Sequence, residues 1–382
     1  VLRQVTATFV YGLTATPIRK DGHQPIIFMQ CGKIRFTSDA KNQMENQGFK
    51  RLLIPRFTSF RSITSDRKTY VQITQELSED KVRNEFVMED IKAAIQKGRT
   101  PLVLTTRTAH VKVLAQMLMP FADHVIQLIG ADSAKEKRLA LQKLQSIPTS
   151  ESLVIVATGK YVGEGFDYPR LDTLFLTMPI AWKGNVEQYA GRLHRECEGK
   201  SEVCIYDYVD IRVPLCDSMY RKRLKGYIKA GYGKNVTSPA PDKKSQELIY
   251  EQNNYEAAFR NDLAKAKHSV VIAVPKVKFK YKPSIMSENA NLLHDGVSVV
   301  VHVKEEGANE TELSNAGMDV VCNKEQTLQC AIIDKSIVWY GNINFFGYNS
   351  ETNNVMRIAD HKIANEMMEI LYSATENKVN GG

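Results

Sequence analysis

Short apolar runs alternate with amphipathic stretches over residues 100–236. Five of these runs are each short enough for a buried parallel strand, and they cover residues 102–104, 125–129, 153–156, 174–176 and 203–206. Between them, the stretches 110–119 and 135–145 place apolar side chains at helical spacing. This alternation predicts an α/β domain in which helices cover both faces of a mostly parallel sheet.

A polar seam at residues 237–244, Thr-Ser-Pro-Ala-Pro-Asp-Lys-Lys, predicts a linker to a second domain. Beyond it, the spacing predicts a helix over 245–267 and strands at 270–274 and 297–303. We therefore expect a second α/β domain over 245–375, followed by a short tail at 376–382.

The pattern ahead of the first domain is weaker. Residues 21–99 contain a strand-like stretch at 52–55 and a helical pattern over 79–97, and we interpret them as a connector leading into the first sheet. The chain begins with Val1 inside a strand-like stretch, so we expect it to be a piece of a longer protein.

The composition is that of an ordinary folded protein with a modest excess of base. Its 382 residues, 51 of them basic and 43 acidic, allow two or three domains that need no disulfide support. The net charge of +8 matters only where it gathers on a face that meets phosphate. The six cysteines lack zinc-site or thioredoxin spacing, so we predict no metal site and a reducing, cytoplasmic setting. No apolar run approaches the ~20 residues of a membrane-spanning helix, and we expect no membrane partner.

Two polar runs follow predicted strands, where a parallel sheet exposes groups to ligands. Residues 12–17, Gly-Leu-Thr-Ala-Thr-Pro, offer two hydroxyls, although a simple strand-ending turn explains them equally well. Residues 157–167, Ala-Thr-Gly-Lys-Tyr-Val-Gly-Glu-Gly-Phe-Asp, place threonine and glycine at a strand-to-helix junction. Free amides there can hold a phosphate, whereas the alternative is a glycine-rich helix terminus with an exposed acid.

A third run, Gln-Tyr-Ala-Gly-Arg-Leu-His-Arg at 188–195, has helical spacing. Gln188, Arg192 and Arg195 lie three or four residues apart and share one helix face. Two guanidiniums on one face favour an opposing anion, such as a nucleotide triphosphate. A solvated basic face is the alternative.

Together these runs resemble the motifs of superfamily 2 helicases and translocases, in the family's order. Residues 12–17 resemble motif III, 102–107 (Leu-Val-Leu-Thr-Thr-Arg) motif IV, 157–167 motif V and 188–195 motif VI. The forms of motifs III and V are most similar to those of DNA translocases from restriction and repair systems. The resemblance implies two RecA-like domains, with ATP in the cleft between them and nucleic acid across the top. Residues 1–20 would then be the tail of the first RecA-like domain, and 100–236 the second.

The resemblance also implies roles for the matching residues. Arg192 and Arg195 would reach the ATP phosphates, Arg195 as the arginine finger. The other ATP-facing positions would be Gln188, Gly165, Asp167 and Gly191. Motif III would supply the coupling residues Thr14, Ala15 and Thr16. The nucleic-acid backbone would be contacted by Thr106, Arg107, Thr158 and Gly159.

The chain departs from the family in lacking the parts that hold nucleotide on the first RecA-like domain. It contains no G-x-x-x-x-G-K-[ST] loop and no Asp-Glu dipeptide, which a complete motor needs for the phosphates and magnesium. We therefore expect ATP and Mg²⁺ to bind only together with an upstream ATP-binding domain of the same protein. This chain alone is predicted to hydrolyse no ATP.

Residues 331–344, Ala-Ile-Ile-Asp-Lys-Ser-Ile-Val-Trp-Tyr-Gly-Asn-Ile-Asn, resemble the phospholipase-D-like domains that accompany some helicases. The active form of that family carries H-x-K-(x)4-D, in which histidine attacks a phosphodiester and lysine neutralises charge. Counting back from Asp334, Gln329 stands at the lysine position and Thr327 at the histidine position. Because Asn342 and Asn344 remain, the resemblance implies a degenerate site that binds phosphate without cutting it.

Two basic stretches are candidates for a phosphate-binding face. Residues 219–234 interleave tyrosines with basic side chains, among them Arg221, Lys222 and Arg223, which suits nucleic-acid contact. A solvated helix at the end of the first domain is the alternative. Residues 274–282 alternate lysine with apolar residues, a pattern equally typical of an edge strand that avoids aggregation.

These features favour the C-terminal part of an ATP-dependent helicase or translocase, with DNA rather than RNA as the expected partner and RNA left open. The second domain would serve binding or homodimerisation. A non-enzymatic nucleic-acid-binding or assembly module is the main alternative, and the ATP-facing arginines argue against it. A phosphodiesterase is a third hypothesis, weakened by Thr327 and Gln329.

Overall fold

Two β-sheets dominate the computed structural model. It describes residues 11–12, 24–36, 50–62, 68–163, 166–180, 183–232, 249–251, 255–278, 291–341, 345–346 and 354–376. The chain divides into two units, 1–48 and 49–382. The described part of the first unit contains helix α1 (Gln24–Cys31), and both sheets belong to the second unit.

The first sheet has six strands in the order β1-β6-β5-β2-β4-β3, and every neighbouring pair is parallel. Its strands are β1 (Lys50–Phe57), β2 (Pro101–Thr105), β3 (His124–Leu128), β4 (Leu153–Thr158), β5 (Thr173–Leu176) and β6 (Glu202–Val209). The helices of this domain are α2 (Tyr70–Glu79), α3 (Lys81–Gln96), α4 (Thr108–Leu118), α5 (Ala134–Ser146), α6 (Gly159–Gly163), α7 (Lys183–Leu193) and α8 (Pro214–Lys229). Because all six strands are parallel, their carboxyl ends meet at one edge of the sheet, here called the carboxyl edge.

Both faces of this sheet are buried, as successive side chains of a strand point to opposite faces. Leu102 and Leu104 of β2 join a core with α7 and α8, whereas Val103 joins a core with α3 and α4. Local signals fix the helix ends: Ser133, for example, begins α5 through a capping box with Glu136. The expected α/β fold with a parallel sheet covered on both faces is confirmed.

The segment 21–99 is more than the expected connector, because β1, α2 and α3 are integral parts of the first domain. Strand β1 pairs with β6 over eight positions, from Lys50 opposite Glu202 to Phe57 opposite Val209. Its basic residues and Pro55 obscure the strand pattern, and Pro is tolerated because β1 is an edge strand. Arg56 is buried all the same, since carboxylates surround it.

The second sheet has seven strands in the order β10-β9-β8-β11-β12-β13-β7. They are β7 (Ile249–Glu251), β8 (Ser269–Ala273), β9 (Ser298–Val303), β10 (Asp319–Cys322), β11 (Cys330–Ile333), β12 (Ile337–Gly341) and β13 (Asn354–Ala359). Pairs β8–β9 and β9–β10 are parallel and the others antiparallel. The accompanying helices are α9 (Tyr255–Leu263), α10 (Ala308–Asn315) and α11 (His361–Glu376).

The helix expected over 245–267 is wrong at its start. Residues 249–251 form β7, which pairs with β13, and the helix α9 begins only at Tyr255. The side chain of Tyr250 packs against Trp339 of β12, with ring centroids 5.2 Å apart. Burial against the second sheet therefore overrides the helical spacing of these apolar residues.

The two domains share one hydrophobic core. One face of the second sheet, including Cys330 and Met356, packs in the same cluster as Leu53 and Tyr220 of the first domain. The rings of Phe57 and Tyr340 meet edge to face with centroids 5.0 Å apart. This continuity fixes the second domain against strand β1 and helix α8.

A buried charge cluster lies within this shared interface. Arg56 of β1 pairs with Asp90 of α3 and, at 2.7 Å, with Glu366 of α11. Tyr208 donates a 3.0 Å hydrogen bond to Asp90, and Lys362 approaches the same carboxylate at 3.9 Å. Burial raises the pKa of Glu366 to about 7, even though Arg56 favours its charged form. The single guanidinium thus joins elements of both domains.

Three negative findings concern the described residues alone. No described helix has both the length and the apolar character needed to cross a membrane. Within the same residues, no three His, Cys, Asp or Glu side chains come together as metal ligands. All six cysteines, each of which the structure describes, carry free thiols.

Candidate functional site

The carboxyl edge of the first sheet brings motif IV and motif V together. Strands β2 and β4 are neighbours, with Thr105 directly opposite Thr158, so Thr106 and Arg107 lie beside Gly159. Thr106 is exposed and Arg107 is half-buried, with its Nη1 donating to the carbonyl of Val71 at 3.4 Å. The two runs, 50 residues apart in the chain, therefore form one continuous polar surface.

Motif V is braced by the loop that follows β3. Thr158 is buried, and its hydroxyl accepts a 2.9 Å hydrogen bond from the amide of Gly130. Lys137 donates to the carbonyl of Gly130 at 3.1 Å, and the side chain of Lys160 covers the same glycine. The Thr158 side chain thus supports the loop, while Lys160 is exposed at the edge. Neither lysine is among the predicted site residues, although Lys160 lies within motif V.

Gly159 forms the contact between motifs V and VI. A Cβ on this glycine would lie 2.4 Å from the hydroxyl oxygen of Tyr189 on α7, far inside van der Waals contact. Tyr189 itself is buried, and that burial raises the pKa of its hydroxyl. Any larger residue at position 159 would force the Tyr189 hydroxyl to move away from the end of β4, so glycine permits the present contact with α7.

The motif VI run carries two arginines in different surroundings. Arg192 lies on α7, whereas Arg195 lies two residues beyond the end of that helix, so the expected shared helix face does not extend to Arg195. Arg195 donates to Asp167 at 3.1 Å, and both side chains are about half exposed, at 53% and 48%. The Nε of Arg192 is buried and has no hydrogen-bond partner among the described residues. Gln188 and Gly191 lie half-buried on the same helix. A Cβ at Gly191 would meet open space, so contacts within the described chain do not explain this glycine.

The basic stretch on α8 does not form the expected surface. Arg223 is 1% exposed and pairs with Asp207 through two hydrogen bonds of 2.9 and 2.8 Å. Arg221 pairs with Asp217, one turn earlier on the same helix. Of the three residues expected to bind nucleic acid, Lys222 alone is fully exposed. The prediction is wrong for Arg223, because helical spacing turns this position into the core.

A buried histidine supports the start of motif IV. His110 is 1% exposed and lies between Thr105, at 2.9 Å from its Nδ1, and Asn84, at 2.9 Å from its Nε2. The side-chain amide of Asn84 donates to the carbonyl of Ser78, so its oxygen faces the ring and Nε2 carries the proton. Burial, with Arg83 and Arg107 nearby, lowers the pKa of His110 to about 3.

This histidine gives a testable pH dependence. The folded protein keeps His110 neutral while the unfolded chain protonates it below about pH 6.5, so its contribution to stability falls as pH decreases from 6.5 towards 3. At pH 5 the loss is about 2 kcal/mol. Urea unfolding of the parent chain and of His110→Gln at pH 7.5 and pH 5 should show the free-energy gap between them narrowing by that amount. A gap independent of pH would contradict this assignment. His194 and His302 also have lowered pKa values, but both are present in the two proteins, so their contributions cancel.

The degenerate phospholipase-D-like positions do not gather at one point. Asp334 follows β11, whereas Thr327 and Gln329 precede it, so the strand separates them. The carboxylate of Asp334 accepts three backbone hydrogen bonds of 2.8–2.9 Å from Lys267, His268 and Ser269, which lower its pKa against the opposing effect of burial. Asp334 and Lys335 both adopt positive φ, as a tight hairpin turn between β11 and β12 requires. Asp334 is therefore a structural anchor of this turn, and its place in a phosphate site stays a prediction.

Several predicted positions lie outside the described residues. They are Thr14, Ala15, Thr16, Gly165, Asn342, Asn344 and the linker 237–244. Thr327 is exposed and Gln329 half-buried. The alternating run at 274–282 is described as far as Lys278 and is not a strand there, although Val277 is buried between two exposed lysines.

Comparison with known proteins gives partial resemblances. No family model matches the sequence. Over 155 residues, 39% of this chain, the sequence is 26% identical to the transcript termination protein A18 of Myxoma virus, of which it covers 31%. A18 of Vaccinia virus (strain Ankara) is 25% identical over 197 residues. The chain spans about a third of the length of these curated relatives.

Solved structures resemble separate parts of the fold. T4 UvsW matches 48% of this chain at 15% identity with a TM-score of 0.38, and the match covers 39% of that chain. Nuc from Salmonella typhimurium, a phospholipase D family member, matches 34% of this chain at 18% identity with a TM-score of 0.30, over 91% of its own length. Strand order and register within this chain, and not these partial resemblances, define its fold.

Proposed function

We propose that this chain binds the phosphate backbone of nucleic acid along the carboxyl edge of its first sheet. The observation that carries the proposal is the meeting of two motifs on neighbouring strands, where Thr106 and Arg107 lie beside Gly159. Lys160 adds an exposed cation next to them. Backbone contacts of this kind position a strand without reading its sequence.

We further propose that the chain is the second half of a nucleic-acid-dependent ATPase. The residues fit a polyphosphate in one respect: a buried arginine atom, Nε of Arg192, lacks a partner among the described residues, as expected where an anion is required. Arg192, Arg195 and Gln188 would hold the phosphates from this side, with Mg²⁺ supplied at the upstream domain. Bound ATP would contribute the phosphoanhydride bond whose hydrolysis drives motion.

The similarity to transcript termination proteins supports a role on nucleic acid. Those relatives are named for a process that acts on a transcript, and the chain shares about a quarter of aligned residues with them over 39–51% of its length. We propose DNA as the preferred nucleic acid. Tighter binding to RNA would instead make RNA the proposed partner.

A non-enzymatic role is proposed for the second domain. The side chain of Thr327 cannot replace the missing histidine nucleophile. The carboxylate of Asp334 already accepts hydrogen bonds from three backbone amides. Binding or dimerisation remains as its function. A scaffold role for the whole chain is disfavoured by Arg192, because a scaffold does not need a buried guanidinium nitrogen that lacks a hydrogen-bond partner among the described residues.

Fluorescence anisotropy of labelled single- and double-stranded DNA and RNA tests the nucleic-acid proposal. Binding should weaken with salt at a log-log slope of about 0.9 per contacted phosphate on duplex DNA and 0.7 on single strands. Arg107→Gln should lower that slope by about one contact, because it removes a guanidinium held at the carboxyl edge, where its Nη1 donates to the carbonyl of Val71 at 3.4 Å. Arg170→Gln is the matched control, since Arg170 precedes β5 at the opposite edge. Equal slopes for the two variants would reject the proposed surface.

A further inference from the structure

Two arginines of the first domain meet at the boundary with the second. Arg61 follows β1 and Arg212 follows β6, and these strands are neighbours, so both arginines lie at the carboxyl edge. Arg61 donates to the carbonyl of Ser373 at 3.3 Å, and Arg212 donates to its hydroxyl at 2.9 Å. Arg212 also donates to the carbonyl of Ile370. Both guanidiniums therefore converge on the last turn of α11.

These two arginines carry more positive charge than their surroundings neutralise. Burial, with Arg61 nearby, lowers the pKa of Arg212 to about 10. The Nε of Arg212 is buried and has no hydrogen-bond partner among the described residues. The acidic side chain that faces the pair is Glu325, 3.5 Å from Arg61 and itself 72% exposed. Helix carbonyls accept hydrogen bonds from some of the guanidinium N–H groups, but Arg61, Arg212 and Glu325 together still carry a net charge of about +1.

The loop that carries Glu325 also carries the positions where phospholipase-D-like enzymes hold phosphate. Thr327 comes two residues after Glu325 and is exposed, whereas Gln326 and Leu328 on either side are buried. Hydrogen bonds from the amides of Glu325 and Gln326 to Asn323, at 3.0 and 2.8 Å, fix the start of the loop. Thr327 is thus presented outwards from a fixed loop next to the arginine pair.

We propose that Arg61 and Arg212, together with the loop 323–329, form a phosphate-binding site shared by the two domains. The site takes a phosphodiester of the nucleic-acid strand that lies on the carboxyl edge. The edge is about 24 Å wide, from five strand spacings of about 4.8 Å, and the arginines lie at the end opposite β3. Arginines of the first domain here lie next to a loop of the second domain. This inference rests on the proposed function and extends its surface.

Salt-dependent anisotropy with a labelled single-stranded oligonucleotide tests the shared site in the whole chain. Arg61→Gln and Arg212→Gln should each lower the log-log slope by about 0.7 and weaken binding several-fold. Thr327→Lys should raise the slope, and Thr327→Glu should weaken binding by a similar factor. Arg170→Gln is the control, because Arg170 also donates to backbone carbonyls, those of Pro148, Thr149 and Glu151, but at the other edge of the sheet.

The outcomes separate the site from the proposed function. Arg212→Gln removes hydrogen bonds to α11 and can loosen this helix. If the Arg212 variant unfolds, the variants at the exposed Thr327 test the site instead. If the parent chain binds but the Arg61 and Thr327 variants keep its slope, the arginines act only as caps of α11 and the shared site is wrong. If the parent chain does not bind nucleic acid at low salt, the proposed function fails and the shared site fails with it.

Discussion

Arg223→Met is expected to lower the free energy of unfolding by about 3–5 kcal/mol. The side chains of Arg223 and Asp207 are 1% and 0% exposed, and two hydrogen bonds join them. Arg223 also donates to the carbonyl of Ile180 at 2.7 Å, just ahead of helix α7. Without the guanidinium, the carboxylate of Asp207 stays buried with the hydroxyl of Tyr227 as its remaining side-chain donor, at 2.6 Å. Urea denaturation followed by circular dichroism measures the change.

The adjacent lysine is the matched control for this substitution. Lys222 is exposed, so Lys222→Met removes the same charge at the next position and should change stability by no more than about 0.5 kcal/mol. If Arg223→Met instead leaves stability intact and weakens nucleic-acid binding, Arg223 belongs to the binding surface after all.

Arg56→Met is expected to have an effect of similar size, about 3–5 kcal/mol, because it removes the guanidinium that pairs with the buried Asp90 and the partly buried Glu366 and leaves Asp90 with the more distant Lys362. Asp90 and Glu366 come from different domains, and Arg56 contacts both. Burial already raises the pKa of each carboxyl, and losing Arg56 should raise both pKa values further. Lys50→Met, at the exposed start of the same strand, should be nearly neutral.

A double-mutant cycle isolates the link between the domains. In a Glu366→Gln background one of the two carboxylates is already neutral, so Arg56→Met should cost less than it does in the parent chain. An equal cost in both backgrounds would mean that Arg56 stabilises only its own domain through Asp90.

The strands of the first sheet could be predicted from sequence because each is a short, buried, uninterrupted apolar run. Part of strand β1 was predicted as the strand-like stretch 52–55, but its continuation through Arg56 and its place in the sheet were not. Arg56 looks like a surface residue until Asp90 and Glu366, 34 and 310 residues away, neutralise it. Arg223 was wrongly predicted to lie on the binding surface for the same reason. A run of basic residues does not show which of them pairs with a buried carboxylate. Strand β7 was missed because three residues at a sheet edge leave too short a pattern.

The order and spacing of the motifs predicted where the candidate site lies, but not which contacts support it. Motifs IV and V could each be placed after a strand, and parallel strands deliver their following loops to one edge, but the pairing of β2 with β4 became known only from the structure. The role of Gly159 could be recognised only from the position of Tyr189 in the fold. The pairing of Arg61 with Arg212 could be recognised only from their contacts with the second domain. Neither contact has a sequence signature, since both join segments that only the fold brings together.

Mapping photo-crosslinks from a nucleic acid to the chain tests the central claim most directly. A single-stranded oligonucleotide carrying photoreactive bases would be irradiated with the protein, and the modified peptides identified by mass spectrometry. The account predicts adducts in the loops that follow β2, β3 and β4, which contain Thr106, Gly130 and Lys160. Adducts concentrated instead at the opposite edge, around Arg170 and Gly98, would contradict it.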